Sequence, residues 1–431
     1  MKVKRVTKLI NLLLIAVIFT TSVFKVSDRS ASAATTYITV EAFAKALANE
    51  IELKSVTGTE SSGYVNALIT AGILMDGEIT SYTKNISRAD ALVLLNRADE
   101  YLYGDTLEAG LVELALKERI SDISSIDKAK RTDVVEAYLK GFMNGYSNGS
   151  YSSNRQIKGS SKVSKEGALN CIKMLKNKTL RGKISPDGQL IRTNDLPKNA
   201  KRYPYILASY PNAYYEGGFA FDGVTQTIDG VVVDMINIED YAAPADVEKT
   251  TMYTDFPTVR KENIGKWVNK VKTYMKNIFY VDYRTIDDEW IEAMIATDDF
   301  GQLGYETQIR DLLNDYVKGI KKNKTIVKYN TVAVDGSSLY YYNGVYYLRA
   351  YVEYQIVSTI VPSKVDIDTM LDDWPHNNIL FSSWRVDLRG FQLGKWTKGY
   401  FDVRLSEPIN TNGVGLGING TTLTVFRKGI E

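Results

Sequence analysis

Gly141-Phe142-Met143-Asn144-Gly145-Tyr146-Ser147-Asn148-Gly149-Ser150-Tyr151 is the stretch whose reading decides how the first half of this chain folds. A helical pattern over residues 134–140 runs into Gly141, and Val163-Ser164-Lys165-Glu166 opens a second helix. A glycine just past a helix supplies the left-handed conformation that closes its last turn. Gly145, Asn148 and Gly149 read as turn-makers, because glycine and asparagine accept positive φ at low cost. A hydroxyl residue before the next helix caps the orphan N–H groups of its first turn. The unit is therefore helix, Gly/Asn-rich turn, aromatic residue and capped helix, with Tyr151 expected as a core plug.

The same unit recurs upstream. Thr39-Val40-Glu41-Ala42 opens a helix with Phe43, Leu47 and Ile51 on one face. Ser87-Arg88-Ala89-Asp90 opens another, with Leu94, Leu95 and Ala98 inward, and Asp90 stands three residues after Ser87 as in a capping box. In the third copy Ala168, Cys171, Ile172 and Leu175 face inward, which makes Cys171 a buried, inert thiol. Helical segments at 65–71 and 132–140 precede the second and third copies and end at Gly72 and Gly141, and a further helix covers 107–117.

This arrangement resembles the S-layer homology repeat, over residues 36–181. The resemblance implies an all-α domain in which three repeats pack as a pseudo-threefold helical prism. It also implies grooves between repeats that bind a pyruvylated secondary cell-wall polysaccharide. In the family's Thr-Arg-Ala-Glu motif the arginine pairs with the ligand carboxylate, a task that suits the guanidinium fork. Arg88 matches that position by type, Lys165 stands there as a point charge in the third copy, and Val40 stands there in the first. The acidic residue sits one place early in the first and third copies, at Glu41 and Glu166. The expected polysaccharide-binding residues are Arg88, Lys165, Gly145, Asn148 and Gly149.

Lys2, Lys4, Arg5 and Lys8, an apolar run over 9–19, and Ala31-Ser32-Ala33-Ala34 have the layout of a secretory signal peptide over residues 1–34. The expected protein is secreted and held at the cell wall, with no membrane partner once the signal is cleaved. With 53 basic and 51 acidic residues in 431, the charge balance gives no support for a nucleic-acid partner. One cysteine rules out an internal disulfide framework, and a single histidine, His376, leaves no metal site built from several His or Cys ligands. No cofactor is expected.

All 9 prolines lie at or after Pro186 and all 5 tryptophans at or after Trp267. That shift places a linker or first loops over 182–216 and a second domain over 217–431. The second domain reads as α+β. Helical spacing over 263–279 puts Ile264, Trp267, Val268, Val271, Tyr274, Met275 and Ile278 on one face. Helices over 288–295 and 307–320 follow, then period-two segments over 325–334, 339–342, 345–360, 383–392, 398–405 and 421–427. Asp229-Gly230 and Asn343-Gly344 mark two hairpin turns. Helices before a run of antiparallel strands predict helices packed on a curved sheet, or a small open barrel.

Asp287, Asp288, Glu289, Asp298 and Asp299 cluster around Trp290, and paired carboxylates are what a glycosidase needs. Acids at a helix start more often complement its dipole, and no calcium-loop spacing is present. Of Tyr340, Tyr341, Tyr342, Tyr346 and Tyr347, alternation assigns half to the core and leaves half for a sugar-stacking or interaction surface. The expectation is a non-enzymatic surface protein anchored to wall polysaccharide, with S-layer or other surface proteins as further partners. A wall-anchored hydrolase and a protein-interaction scaffold are the alternatives.

Overall fold

The computed structural model describes residues 35–56, 60–217, 219, 225–228, 231–234, 256–297, 306–342, 345–360, 393–405 and 418–425. The signal-peptide reading, Gly218, Asp229-Gly230, Asn343-Gly344, Asp298, Asp299, His376 and the segment 383–392 lie outside them. Among the described residues no helix is long and apolar enough to cross a membrane.

The N-terminal unit is helical. It contains α1 (Val40–Glu50), α2 (Glu60–Thr70), α3 (Arg88–Tyr103), α4 (Ala109–Glu118), α5 (Arg131–Leu139) and α6 (Lys165–Lys173), with a small ribbon of β1 (Tyr146–Ser147) and β2 (Arg155–Gln156) between α5 and α6. The three hydroxyl caps form. Thr39, Ser87 and Ser164 accept from the backbone N–H of Ala42, Asp90 and Gly167 at 3.3, 3.1 and 3.1 Å. The inward residues of all three helices, from Phe43 to Leu175, share one apolar core.

What closes this unit is a ring of backbone hydrogen bonds among the three segments that lead into α1, α3 and α6. Ile38 N donates to Val163 O (3.3 Å), Val163 N to Ile86 O (3.3 Å) and Ile86 N to Ile38 O (3.0 Å). One turn further on, the first-turn N–H groups are satisfied in the opposite rotation. Glu41 N donates to Tyr82 O, Arg88 N to Ser161 O and Lys165 N to Thr36 O. The first segment thus contributes on the same terms as the other two, although only its trailing half matches the repeat pattern.

The stretch 182–216 is a packed strap. Gly182 N donates to Gly141 O at 2.8 Å, Ile184 bridges to Leu190, and Ile191 bridges to Leu207. The strap ends in the short helix α7 (Asn212–Glu216), whose Tyr214 and Tyr215 are fully buried.

The C-terminal unit is α+β. The hairpin β3 (Thr225–Ile228) and β4 (Val231–Asp234) pairs Ile228 with Val231, as a two-residue loop requires. Then come α8 (Phe256–Ile278), β5 (Val281–Asp282), α9 (Asp288–Ile295), α10 (Glu306–Lys322), β6 (Ile326–Val334), β7 (Tyr340–Tyr342), β8 (Val345–Ser358), β9 (Trp396–Leu405) and β10 (Ile418–Val425). The antiparallel sheet runs β10-β9-β8-β6-β5, with β7 paired to β8. All seven residues expected on the inner face of α8 are buried.

Alternation along β8 separates two cores. Leu348, Ala350, Val352, Tyr354 and Ile356 pack with the helices, while Tyr347 and Tyr351 face the strap. The sheet is therefore covered on both faces at this end. Of the five tyrosines split by alternation between core and surface, Tyr340, Tyr346 and Tyr347 are buried, and the side chains of Tyr341 and Tyr342 lie outside the described residues. The strap supplies a second cover that period two cannot reveal.

Tyr151 also behaves differently from a plug of its own repeat. It has φ 61 and projects out of the helical unit. Its ring stacks on Tyr351 at 3.9 Å, its hydroxyl lies 3.2 Å from that of Tyr400, and its N–H donates to Ser209 O. The plug enters the tyrosine cluster between strap and sheet.

Candidate functional site

The turn after α5 is set by glycines that have no substitute. Gly141 has φ +80, and a Cβ there would sit 2.1 Å from the carbonyl oxygen of Gly182. Gly145 has φ +64 and lies against Gln156 and Arg155. Arg155 holds the turn from the β2 side, with Nε donating to Asn144 O and Nη2 donating to Gly145 O at 3.1 Å. Among the described residues no carboxylate lies within ion-pair distance of Arg155, and burial pushes its guanidinium below the ordinary arginine range.

Between this turn, the start of α3 and the strap lies a cleft of about 750 Å³. One wall is 141–146, another is 179–183 with Leu190, Ile191 and Thr193, and the base carries Arg88, Cys171 and Met174. Its charged residues are Arg88, Arg181 and Lys183, with no Asp or Glu. Arg181 is neutralised from behind: Nη2 meets the buried Asp99 at 2.5 Å, and the guanidinium lies over Phe142 at 4.3 Å. Lys140 adds a second cation 3.5 Å from Asp99.

Arg88 differs. Its Nε donates to Ile157 O at 2.7 Å and its guanidinium lies 4.9 Å from the Tyr146 ring centroid. Neither terminal nitrogen has a carboxylate within ion-pair distance among the described residues. A half-buried guanidinium over an aromatic ring, lining a cleft without Asp or Glu, has the chemistry that suits an anion. Cys171 also reaches the cleft, where its thiol donates to Phe142 O at 3.2 Å. Burial pushes that thiol up to about 11, which keeps it protonated and unreactive at neutral pH.

Of the five residues expected to bind ligand, Arg88 and Gly145 come together here. Lys165 is exposed at the start of α6, outside the cleft lining. Asn148 Nδ2 donates to Ser121 Oγ and Asn154 Oδ1, both at 2.6 Å, and Gly149 N donates to Ser147 Oγ, so these two build the turn. Arg181, Lys183 and Tyr146 were not singled out in the sequence. Arg181 and Lys183 fall at the end of the repeat unit and carry no motif, and Tyr146 reads there only as part of a turn.

The acidic group near Trp290 has a structural role where it is described. Asp287 caps α9 by accepting from Glu289 N at 3.1 Å, and Asp288 and Glu289 are exposed in the first turn. Among the described residues no group of three or more His, Cys, Asp or Glu side chains is arranged to hold a metal ion. No protein-family model and no curated protein matches the chain.

Proposed function

We propose that residues 36–181 bind an anionic cell-wall polysaccharide in the cleft at Arg88, and so hold the secreted chain non-covalently at a bacterial cell surface. The α+β unit is then a structural or binding module displayed there. The observation that carries this reading is the outer edge of the Arg88 guanidinium, which faces a cleft without a carboxylate. The closed ring of three capped segments supports it, because a three-segment helical unit is compatible with the prism that the S-layer homology resemblance implies. The strap and the Tyr151 plug would transmit the anchor to the sheet without a free tether.

The test is co-sedimentation of the full chain with purified cell-wall sacculi, before and after acid stripping of the secondary polymer. Pelleting with intact sacculi and loss of pelleting after stripping are expected. Arg88→Ala removes a charge-assisted hydrogen-bonding group worth about 1.5–3 kcal/mol, so affinity falls roughly 10- to 100-fold. Wild-type pelleting by Arg88→Ala, or no pelleting with intact sacculi, overturns the reading.

A further inference from the structure

Arg88 is not alone on Tyr146. Lys158 Nζ lies 4.4 Å from the centroid of the same ring. Lys158 is exposed and, unlike Arg88, is not part of the cleft lining; like Arg88, it has no carboxylate within ion-pair distance among the described residues. Both cations lie within 5 Å of one ring centroid, and like charges brought near one ring repel, so the fold must hold them there. It does so through one turn. Asp122 Oδ1 accepts the N–H of Ile157 at 2.8 Å, and Oδ2 accepts the N–H of Lys158 at 2.7 Å. Those two bonds hold Lys158 in the left-handed region, at φ 54, which a lysine adopts only at a cost. They also direct the Ile157 carbonyl at Arg88 Nε.

We propose that Arg88 and Lys158 form a two-cation clamp around Tyr146 for an acidic substituent of a sugar, and that Asp122 is its positioning residue. The strained lysine and the oriented arginine hang from the same carboxylate, so the two cations are presented as a unit. Both carboxylate oxygens of Asp122 are occupied by the backbone, which leaves the cations for the ligand. This inference rests on the wall-polysaccharide reading above. Its reach is different, since it assigns a second cation and a support that the helix-start motif does not contain.

The probe is intact cell-wall sacculi and the readout is pelleting affinity of the full chain as a function of sodium chloride. Lys158→Gly removes the cation and places glycine where φ is positive, so folding is preserved. It is expected to bind about five-fold more weakly at low salt, the size of one partly exposed ion pair. Its salt dependence is expected to be shallower, because one screened contact is gone. Asp122→Ala should match or exceed that loss, and Asp122→Asn, which keeps one acceptor, should recover part of it. Competition by pyruvate and by inorganic phosphate separates a carboxylate from a phosphate substituent; either result fits the clamp. If Arg88→Ala abolishes pelleting while Lys158→Gly keeps wild-type affinity and salt slope, the clamp is refuted and the anchor reading stands. If neither substitution changes pelleting, the anchor reading falls and the clamp falls with it.

Discussion

Asp335 sets a pH dependence that the fold makes measurable. Its carboxylate lies fully buried where the strap meets the sheet. It accepts from Tyr215 Oη (2.5 Å), Ser337 N (2.8 Å) and Ser337 Oγ (2.6 Å). Burial outweighs these donors and pushes the carboxyl up to about 6, from 3.8. A carboxyl raised on folding stabilises the native state in its protonated form. The contribution is complete below the unfolded value and is lost as pH rises through about 6. A shift of about two units corresponds to about 3 kcal/mol. Most of that is lost between about pH 4 and pH 7.

The assay is urea unfolding followed by tryptophan emission, which reports the C-terminal unit because all 5 tryptophans lie at or after Trp267. Asp335→Asn mimics the protonated side chain, and the hydroxyls of Tyr215 and Ser337 can rotate to accept from its amide. Wild type should lose stability from about pH 5 to pH 7, relative to the variant, by about 1.3 kcal/mol. Surface carboxylates held low by ion pairs, such as Glu52 with Lys176 and Glu292 with Arg310, act in the opposite sense and below this window. Parallel pH profiles for the two proteins would refute the reasoning.

Asp402→Ala strands the Arg349 guanidinium, whose Nε lies 3.2 Å from the Asp402 carboxylate with both residues wholly buried; a loss of about 3–5 kcal/mol in urea unfolding is expected. Replacing both partners, as Arg349→Met with Asp402→Leu, should recover part of that loss, although the guanidinium bonds to Tyr214 O and Gly217 O also go. Gly141→Ala forces a Cβ into the Gly182 carbonyl and should cost about 2 kcal/mol or more, with weaker sacculus pelleting because both cleft walls move. Tyr151→Ala removes the ring stacked on Tyr351 and should lower stability by about 3 kcal/mol, with faster tryptic cleavage within 182–216. Unchanged cleavage would show that the plug does not hold the strap.

The parts of this fold governed by local rules were legible in the sequence. Hydroxyl caps at Thr39, Ser87 and Ser164, and the helical face from Ile264 to Ile278, depend on neighbours within a few residues. Period two in 345–358 likewise marked β8. What was not legible depends on partners far along the chain. Tyr340, Tyr347 and Tyr351 alternate like surface residues, yet a strap that begins at Gly182 covers them. Tyr151 reads as an ordinary aromatic plug until its positive φ turns it toward Tyr400, 249 residues away.

The candidate site divides along the same line. Arg88 follows from a capped helix start, a local pattern, and Gly145 from a turn. Asp122, Ile157 and Lys158 act through a carbonyl and two N–H groups, and backbone groups leave no residue-type signature to read. Lys165 shows the converse. It stands at the matching helix start of the third segment, yet it is exposed and outside the cleft lining. The ring through Ile38, Ile86 and Val163 needs just the short segments before each helix, so it closes regardless. A cleft needs the turn as well, and the cleft at Arg88 is walled by the turn of the nearly complete third copy. Three helix starts therefore suffice to close the ring, while the cleft at Arg88 also needs the turn after α5 as its second wall.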